Sequence, residues 1–448
     1  MSALERRTVV ALAGLYSFRM LGLFMVLPLL SLYAGDLTGS TLFLIGLALG
    51  AYGLAQGVLQ IPLGMLSDRI GRIPVIIFGL LLFAAGSLYA AQADSIQGVI
   101  VGRLLQGAGA IASTVMALVA DLTSDQQRTK AMTVIGISIG MSFALALVIG
   151  PVLASWGGLS LVFNTTAGLA LVGILIVLFA VPRARSIRPT HGETGTVPRL
   201  ILRSLLDPGL VRLNIGVFTL HFVLMALFIA MPLVLEQGMG VHRDNHWQVY
   251  LPVLGLSIAG MVPLMILAER KGRLRLAFSL AILLVMLAQW PMSGGWGEIG
   301  FYSGLCLFFV GFNYLEATLP SLVSKTVYAG GKGTALGVYS TFQFLGAFAG
   351  GACGGWVLQQ FGMQALFGGS AALLLIWWLL ALSMQAPRNL TNLVVRLPGS
   401  GTAERDWVAG LGGAAGVVDV LLLAEENTVY LKVDEAEFNH AILEGLDS

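Results

Sequence analysis

Charged residues are scarce in this chain. Asp, Glu, Lys and Arg make up 11% of its 448 residues, whereas about 25% is usual for soluble domains. Hydrophobic residues make up 57% of the chain, and a soluble protein would need a core larger than globular domains form to bury them. The composition therefore excludes an ordinary soluble protein and indicates that the lipid bilayer is the solvent.

Several kinds of chemistry lack the residues that they need. Both cysteines, Cys306 and Cys353, fall inside apolar runs, so we predict neither a disulfide framework nor a metal site. The sequence contains no GxxxxGK[ST], HExxH or GxSxG motif, so we expect no ATP-driven step, no cofactor and no enzymatic activity. Basic and aromatic residues are not interleaved as nucleic-acid binding requires, which excludes nucleic acid as an expected partner.

Twelve apolar runs are long enough to cross a bilayer, which takes about 20 residues in a helix. They lie roughly at residues 8–33, 41–66, 74–93, 97–118, 131–155, 160–181, 210–235, 247–268, 274–292, 299–322, 334–357 and 364–385. The expected fold is therefore an all-α membrane protein with twelve transmembrane helices.

Basic residues alternate between the connections. Of the 25 Lys and Arg residues, 22 fall in the N-terminal segment, the C-terminal tail and every second connection, while the remaining connections hold only Arg243. Cytoplasmic loops carry the excess of Lys and Arg. This alternation supports twelve spans and predicts that both termini are cytoplasmic.

A short motif recurs after 201 residues, because IPLGMLSDRIGR at 61–72 matches VPLMILAERKGR at 262–273. The matching pairs are Asp68 with Glu269, Arg69 with Arg270, Gly71 with Gly272 and Arg72 with Arg273. A parallel repeat of this kind is typical of one large class of transporters. It predicts two six-helix bundles, at 1–181 and 210–386, joined by a cytoplasmic linker at 182–209.

Three motifs resemble those of the major facilitator superfamily and its drug-proton antiporter family. Residues 64–72 (GMLSDRIGR) resemble motif A, RLLQGAG at 103–109 resembles motif B, and Gly150-Pro151 resembles the core of motif C. Ala146, Ala154 and Ser155 stand where motif C prefers glycine, so the direction of transport stays open.

The resemblance implies roles for these residues. Motif A would form a conformational latch that holds the two halves together in the outward-facing state, and the arginine of motif B, Arg103, would take part in proton coupling. The latch residues are Gly64, Asp68, Arg69, Gly71 and Arg72. Two simpler alternatives are that the motif A arginines only set the topology and that Arg103 pairs structurally with span 1 or 5.

Ionisable residues inside the spans are further candidates, since a charge at a helix centre costs about 2.5–3.5 kcal/mol on insertion scales. Arg19 needs an anionic partner or substrate, unless it reaches the membrane edge. Glu316, with Asn313 one helical turn away, is the first candidate for a proton or substrate-cation site, because desolvation favours reversible protonation. Arg19, Asn313, His221 and Gln343 are predicted to line the substrate cavity. Structural roles for Glu316 and His221 are the alternatives.

The composition changes again after Pro387. Residues 391–448 carry ten acids and three bases. They show strands at 393–397, 417–423 and 428–433 and helices at 402–411 and 435–446. This β-α-β-β-α order predicts a small α+β, ferredoxin-like cytoplasmic domain. The Cys-x-x-Cys that binds metal in heavy-metal-associated domains of this kind is missing.

Twelve spans followed by such a domain resemble the YajR-type transporters, which implies a bacterial inner membrane. The tail would serve as a regulator or as a docking module for a cytoplasmic partner or ligand, or as a passive cap. The leading hypothesis is a proton-coupled efflux antiporter of small hydrophobic or cationic compounds that works by alternating access. The alternatives are a transporter-like sensor that signals through its acidic tail, and a uniporter or lipid transporter without a proton site.

Overall fold

A computed structural model describes residues 2–182, 198–295, 297–384, 390–397, 407–408, 410–423, 428–434 and 437–439. Helices dominate it. The N-terminal half comprises α1 (Ala3–Tyr33), α2 (Leu42–Ile70), α3 (Arg72–Ala91), α4 (Ile96–Ala108), α5 (Ala112–Asp121) and α6 (Asp125–Phe179). A short helix, α7 (Pro198–Leu206), precedes the C-terminal half, which comprises α8 (Pro208–Leu233), α9 (Trp247–Glu269), α10 (Leu274–Trp290), α11 (Gly297–Thr326) and α12 (Lys332–Leu382).

The predicted twelve-span architecture is confirmed. Ten helical segments of the described chain are long and apolar enough to cross a membrane, and two of them run for 50 and 51 residues. Each of these two contains a kink, at Gly157 and Gly158 in α6 and at Gly362 in α12. Each therefore holds two predicted spans. With an even number of spans both termini lie on one side, here called the terminal face, and the other side is called the far face.

Two details differ from the expected spans. The fourth span is broken between α4 and α5, around Gly109, although the sequence predicts a single span at 97–118. The predicted linker at 182–209 contains the helix α7, and Asp207 caps the next helix by accepting hydrogen bonds from the N–H groups of Gly209 and Leu210, both at 2.9 Å. The linker is thus partly helical.

The repeated motif adopts the same turn in both halves. Gly71 follows α2 with φ 97°, and Gly272 follows α9 with φ 62°. Residues with a side chain rarely adopt a positive φ, whereas glycine does so without steric cost. The glycine is therefore required at both copies by the turn that leads into the next span.

The tail forms a three-stranded antiparallel sheet. Its strands β1 (Thr391–Arg396), β2 (Val417–Leu423) and β3 (Thr428–Val433) lie in the order β1-β3-β2. β1 and β2 both pair antiparallel with β3, so they run parallel to each other, as in a split βαβ unit. This agrees with the small α+β domain that was predicted.

The predicted tail helices are described only in part. Of the helix expected at 402–411, residues 402–406 and 409 lie outside the described residues, and 407–408 and 410–411 are helical. Of the helix expected at 435–446, only 437–439 are described, and they are not helical. Phe438 of this segment packs with Leu397, Leu411 and the alternate residues of β3 in a small hydrophobic core.

Candidate functional site

Arg19 lies at the centre of a polar cluster in the N-terminal half. Arg19 is buried, with only 1% of its surface exposed. The Nη2 group donates to the Tyr52 hydroxyl at 3.0 Å, to Gln56 Oε1 at 2.8 Å and to the Gly109 carbonyl at 3.0 Å. Gln56 in turn donates to Gln60 Oε1 at 3.3 Å. We call Arg19, Tyr52, Gln56 and Gln60 the N-half cluster.

Arg19 also stabilises the break in the fourth span. Gly109 sits between α4 and α5, where its carbonyl has left the helical hydrogen-bond pattern. A buried carbonyl without a partner costs free energy, and the guanidinium of Arg19 supplies that partner. Arg19 does not reach the membrane edge, because it is enclosed between helices.

Arg103 is held by backbone and amide oxygens. Its guanidinium donates to the carbonyls of Ala48 and Leu49 at 3.3 and 3.4 Å and to Gln106 Oε1 at 2.9 Å. Its Cζ lies 5.1 Å from the centre of the Tyr52 ring, which adds a cation–π contact. Arg103 therefore ties α4 to α2 and approaches the N-half cluster through Tyr52.

Glu316, His221 and Gln343 meet in the C-terminal half, although they come from α11, α8 and α12. Gln343 Nε2 lies 3.2 Å from Glu316 Oε1 and 2.9 Å from His221 Nε2. The second Glu316 oxygen, Oε2, is 3.6 Å from His221 Nε2 and is a buried atom without a hydrogen bond among the described residues. We call these three residues the C-half cluster.

The hydrogen bonds of this cluster favour one tautomer of neutral His221. Its Nδ1 lies 3.1 Å from the Val217 carbonyl, which can only accept, so Nδ1 carries the proton. In the neutral tautomer with the proton on Nδ1, Nε2 accepts from Gln343 and carries no proton toward Glu316. One proton added to Glu316 Oε2 or to His221 Nε2 would supply the donor that this 3.6 Å gap lacks.

Asn313, predicted to share a face with Glu316, makes a different contact. Its amide donates to the Ser257 hydroxyl on α9 at 2.9 Å. It therefore links α11 to α9 and stands outside the C-half cluster. Of the predicted cavity residues, the structure brings His221 and Gln343 to Glu316 and places Arg19 in the opposite half.

The two clusters lie on either side of the contact between α2 and α12. The Thr341 hydroxyl donates to the Gly57 carbonyl at 3.2 Å across this contact. The Tyr52 and Phe344 rings meet edge to face, with their centres 6.3 Å apart. Phe344 follows Gln343 directly in the chain. The Tyr52 and Phe344 rings therefore lie between the N-half cluster and the C-half cluster, at the junction of the halves.

Motif A bonds within the N-terminal half in this conformation. Asp68 and Arg72 form an ion pair, and Arg72 Nε lies 3.1 Å from Asp121 Oδ2. Arg69 is exposed, and Gly64 leaves only 3.1 Å between an added Cβ and the Ser113 hydroxyl. Sequence reasoning missed Asp121, although it is an acid placed at the end of span 4 on the face that carries motif A.

We expect Asp121→Asn to weaken the N-terminal half. The Arg72 side chain is only 9% exposed, and removing one of its two acids leaves this desolvated charge with Asp68 as its one remaining carboxylate. A charged hydrogen bond of this kind contributes about 1.5–3 kcal/mol. Thermal unfolding of the purified protein should show a lower Tm than the exposed control Asp94→Asn, and equal Tm values would contradict the assignment.

The other predicted motif residues lie at exposed positions or at a contact between helices. Glu269, Arg270 and Arg273, in the second copy of motif A, are exposed. Gly150 lets α6 approach α1, since an added Cβ would lie 3.1 Å from the Met25 carbonyl, and Pro151 follows it inside the helix.

The far face is closed by contacts between the halves. Arg243 Nη1 donates to the Leu32 carbonyl at 3.4 Å, its Cζ lies 4.8 Å from the centre of the Tyr33 ring, and its Nε pairs with Glu236 at 2.7 Å. The Tyr33 hydroxyl donates to Asp244 at 3.4 Å. Arg243 was singled out by sequence only as an exception to the charge pattern. Its contacts join the end of α1 to the connection between α8 and α9.

Lys432 anchors the tail sheet to the C-terminal half. Side chains alternate along β3, so Val429, Leu431 and Val433 face the small core of the tail while Lys432 faces the bundle. Its ammonium donates to the carbonyls of Lys325 and Val327, at the end of α11, at 2.7 and 2.5 Å. Burial lowers the pKa of Lys432, and the nearby charge of Asp419 opposes this shift.

Asp419 accepts hydrogen bonds from both the linker helix α7 and the connection after α11. It accepts from the Ala329 N–H at 3.0 Å and from Arg203 at 3.2 Å. Arg203 stacks on the Tyr328 ring at 4.0 Å, and the Tyr328 hydroxyl donates to the Leu200 carbonyl at 2.7 Å. The tail, α7 and the α11–α12 connection therefore form one joined surface.

Replacing Lys432 by methionine is expected to release the tail from the bundle. Methionine keeps a long apolar side chain but cannot donate to the α11 carbonyls, which would then be left without these donors. Hydrogen exchange of the backbone around 325–331 should become faster by about 10-fold or more. The control is Lys271→Met at an exposed position. Unchanged exchange in the Lys432 variant would show that the tail is held by other contacts.

Comparisons with known proteins agree with this architecture. A family model described as "Major Facilitator Superfamily" matches residues 12–351. The Escherichia coli (strain K12) protein "Inner membrane transport protein YajR" is 43% identical over 443 residues, which cover 98% of this chain and 97% of that protein. The "Multidrug resistance protein MdtH" of Aeromonas hydrophila is 28% identical and covers 77% of this chain and 85% of its own.

Solved structures show the same fold at low identity. The human organic anion transporter MFSD10 (TETRAN) superposes with a TM-score of 0.63 at 22% identity, over 84% of this chain and 99% of that one. A bacterial homologue of the human lysosomal transporter Spinster, in an inward-facing and occupied conformation, gives a TM-score of 0.69 at 14% identity, over 85% and 97% of the two chains.

Proposed function

The chain belongs to the Major Facilitator Superfamily, and from this membership we propose that it is a proton-coupled secondary transporter that exports small hydrophobic compounds. The coarser conclusion, a multi-pass membrane transporter, follows from the family itself. The antiport, its direction and the role of protons are the proposal. Its moving parts would be residues 1–181 and 210–386, joined by the linker at 182–209, with 391–448 as a regulatory domain.

The C-half cluster is the observation that carries this proposal. Glu316 Oε2 and His221 Nε2 face each other at 3.6 Å, and the tautomer of His221 with its proton on Nδ1 leaves no proton between them. Uptake of one proton would add a hydrogen bond and neutralise a carboxylate inside the membrane, where charge is costly. The cluster joins three helices, so binding and release of that proton would alter their packing.

The contacts between the halves support alternating access. Arg243, Tyr33 and Asp244 join the halves on the far face, while the bonds of Asp68 and Arg72 stay inside the N-terminal half. We assign this conformation to the inward-facing state, with the terminal face cytoplasmic and the membrane a bacterial inner membrane. In the outward-facing state motif A would form the latch across the halves.

Two relatives bear on direction and location. One is named an inner membrane transport protein and another a multidrug resistance protein. Export of apolar compounds is consistent with both names and with the few charges in the spans. The tail would act as a regulator through its contacts with α7 and α11. A deletion of 391–448 that leaves transport intact would make it accessory, whereas partner binding without flux would favour the sensor alternative.

Proton movement in proteoliposomes tests the proposal. Wild-type protein is reconstituted with a pH-sensitive dye inside, and hydrophobic compounds that are neutral, cationic or anionic are added in turn. Compound-induced proton flux would establish antiport. Compound flux that ignores the pH gradient would instead assign a uniporter, and the absence of any flux from folded protein would overturn the transport proposal.

A further inference from the structure

Three N–H groups of Arg19 have no hydrogen-bond partner in the part of the chain that the structure describes. All three of its hydrogen bonds start from Nη2, whereas Nε and Nη1 are buried and make no hydrogen bond among the described residues. Nε carries one hydrogen and Nη1 carries two. The structural task of binding the Gly109 carbonyl uses none of these three donors. A buried cation with most of its donors unused is costly unless something else binds there.

The interior of the N-terminal half also lacks an anion. The acids of residues 1–181 are Glu5, Asp36, Asp68, Asp94, Asp121 and Asp125. Each lies in a first or last helical turn or in a connection. Arg19 and Arg103 are therefore two buried cations without a carboxylate at the helix centres. Arg103 has a hydrogen-bond acceptor on every side-chain nitrogen. Arg19 is therefore the buried cation whose N–H groups are free to bind an anion.

We propose that Arg19 binds the anionic group of the substrate, so that the compounds carried are organic anions with an apolar body. This inference rests on the proposed function, because it names the substrate class of that transporter. The guanidinium would donate to a carboxylate, or to another oxyanion, through the two N–H groups of Nη1. The Phe83 ring, whose centre is 5.7 Å from the Arg19 Cζ, would lie beside an apolar substrate body.

An anionic substrate can reach Arg19 without leaving any N–H group of Nη2 unpaired. Nη2 has two hydrogens but three acceptors in the Tyr52 hydroxyl, Gln56 and Gly109, so one acceptor is surplus. The Tyr52 side chain covers Arg19 from the C-terminal half, where it contacts Phe344. Displacement of the Tyr52 hydroxyl would open Arg19 to a carboxylate and leave two acceptors on Nη2.

An anionic substrate also suits the driving force. Exchange of one exported anion for one imported proton moves two positive charges inward per cycle, so both gradients of an energised membrane favour export. One-for-one exchange of a monovalent cation for a proton moves no net charge. Dependence of flux on membrane potential therefore separates the two substrate classes.

Binding is tested first, with full-length purified protein. The probes are two matched sets, naphthylacetate, naphthylacetamide and naphthylmethylammonium, and octanoate, octanamide and octylammonium. Tryptophan fluorescence during thermal unfolding reports binding as a rise in Tm. We expect the carboxylates to bind about 10-fold tighter than the amides, as one charge-assisted hydrogen bond requires. This preference should be lost in Arg19→Gln and retained in Arg19→Lys and in the exposed control Arg6→Gln.

The outcomes separate the two proposals. Equal binding of carboxylate and amide, binding of the ammonium compounds only, or an unchanged preference in Arg19→Gln would overturn the anion site. If Arg19→Gln does not fold, the wild-type preference together with Arg19→Lys decides. Proton-coupled flux that is insensitive to an imposed potassium diffusion potential would also overturn the inference while the proposed transporter stands. Carboxylate-specific binding without proton movement would keep the anion site and reject proton coupling.

Discussion

Replacing Glu316 by glutamine is expected to abolish substrate-driven proton movement. Glutamine preserves the size of the side chain and can still hydrogen-bond to Gln343, but it cannot take up a proton at the position of Oε2, opposite His221. Coupling free energies between two ligands correspond to about 5–150-fold changes in affinity. A proton site that is lost altogether should therefore reduce coupled flux by about 100-fold.

The measurement is proton flux in proteoliposomes, with binding of the same compound as a check on folding. Glu298→Gln is the matched control, because Glu298 begins the same helix at an exposed position. Substrate binding should survive in the Glu316 variant and coupled flux should not. Full coupled flux in that variant would remove Glu316 from the mechanism and leave it a structural carboxylate.

Substitution of Gly46 by alanine should shift the protein away from the conformation seen here. An added Cβ at Gly46 would lie 2.1 Å from the Gly351 carbonyl oxygen and 3.0 Å from the Gly355 Cα. Both neighbours are backbone atoms, so no side-chain rotation relieves the clash. α2 and α12 would have to separate near the far face. Overpacking of this kind costs about 1–3 kcal/mol, which is roughly a 5- to 150-fold change in a two-state equilibrium.

Distance measurements between spin labels on the far face test this expectation. Labels at Asp36 and Asn245 are exposed and belong to different halves. They should move apart in the Gly46→Ala variant, and the transport rate should fall because one of the two states is depleted. Gly255→Ala is the control, since no atom lies within 4 Å of its added Cβ. Identical distance distributions would show that the α2–α12 contact does not hold the far face closed.

The repeat and the number of spans could be predicted from local patterns. Burial in lipid requires about 20 apolar residues for each crossing, and basic residues mark alternate connections. Both patterns are linear in the chain, so they predicted twelve spans and two related halves. The turn glycines Gly71 and Gly272 were equally visible, because a positive φ is a local demand. The strands of the tail followed from their apolar runs for the same reason.

The break at Gly109 was not predicted, because the run at 97–118 is long enough for one continuous span. The guanidinium that satisfies its carbonyl comes from Arg19, 90 residues earlier in the chain. Sequence singled out Arg19 and Glu316 as costly charges but gave neither of them a partner. Gln343 and His221 reach Glu316 from two other helices, and such meetings depend on how the helices pack.

The sequence by itself determined the solvent of this protein, the number of its crossings and the places where charge enters the membrane, because each of these depends on residues that are close in the chain. The tertiary structure alone decided which donors find acceptors, and it leaves three N–H groups of Arg19 without one among the described residues. It also decided which face of the bundle is closed. These depend on close contacts such as that between Gly46 and Gly351, and the two faces of a transporter exchange such contacts at a cost of only a few kcal/mol.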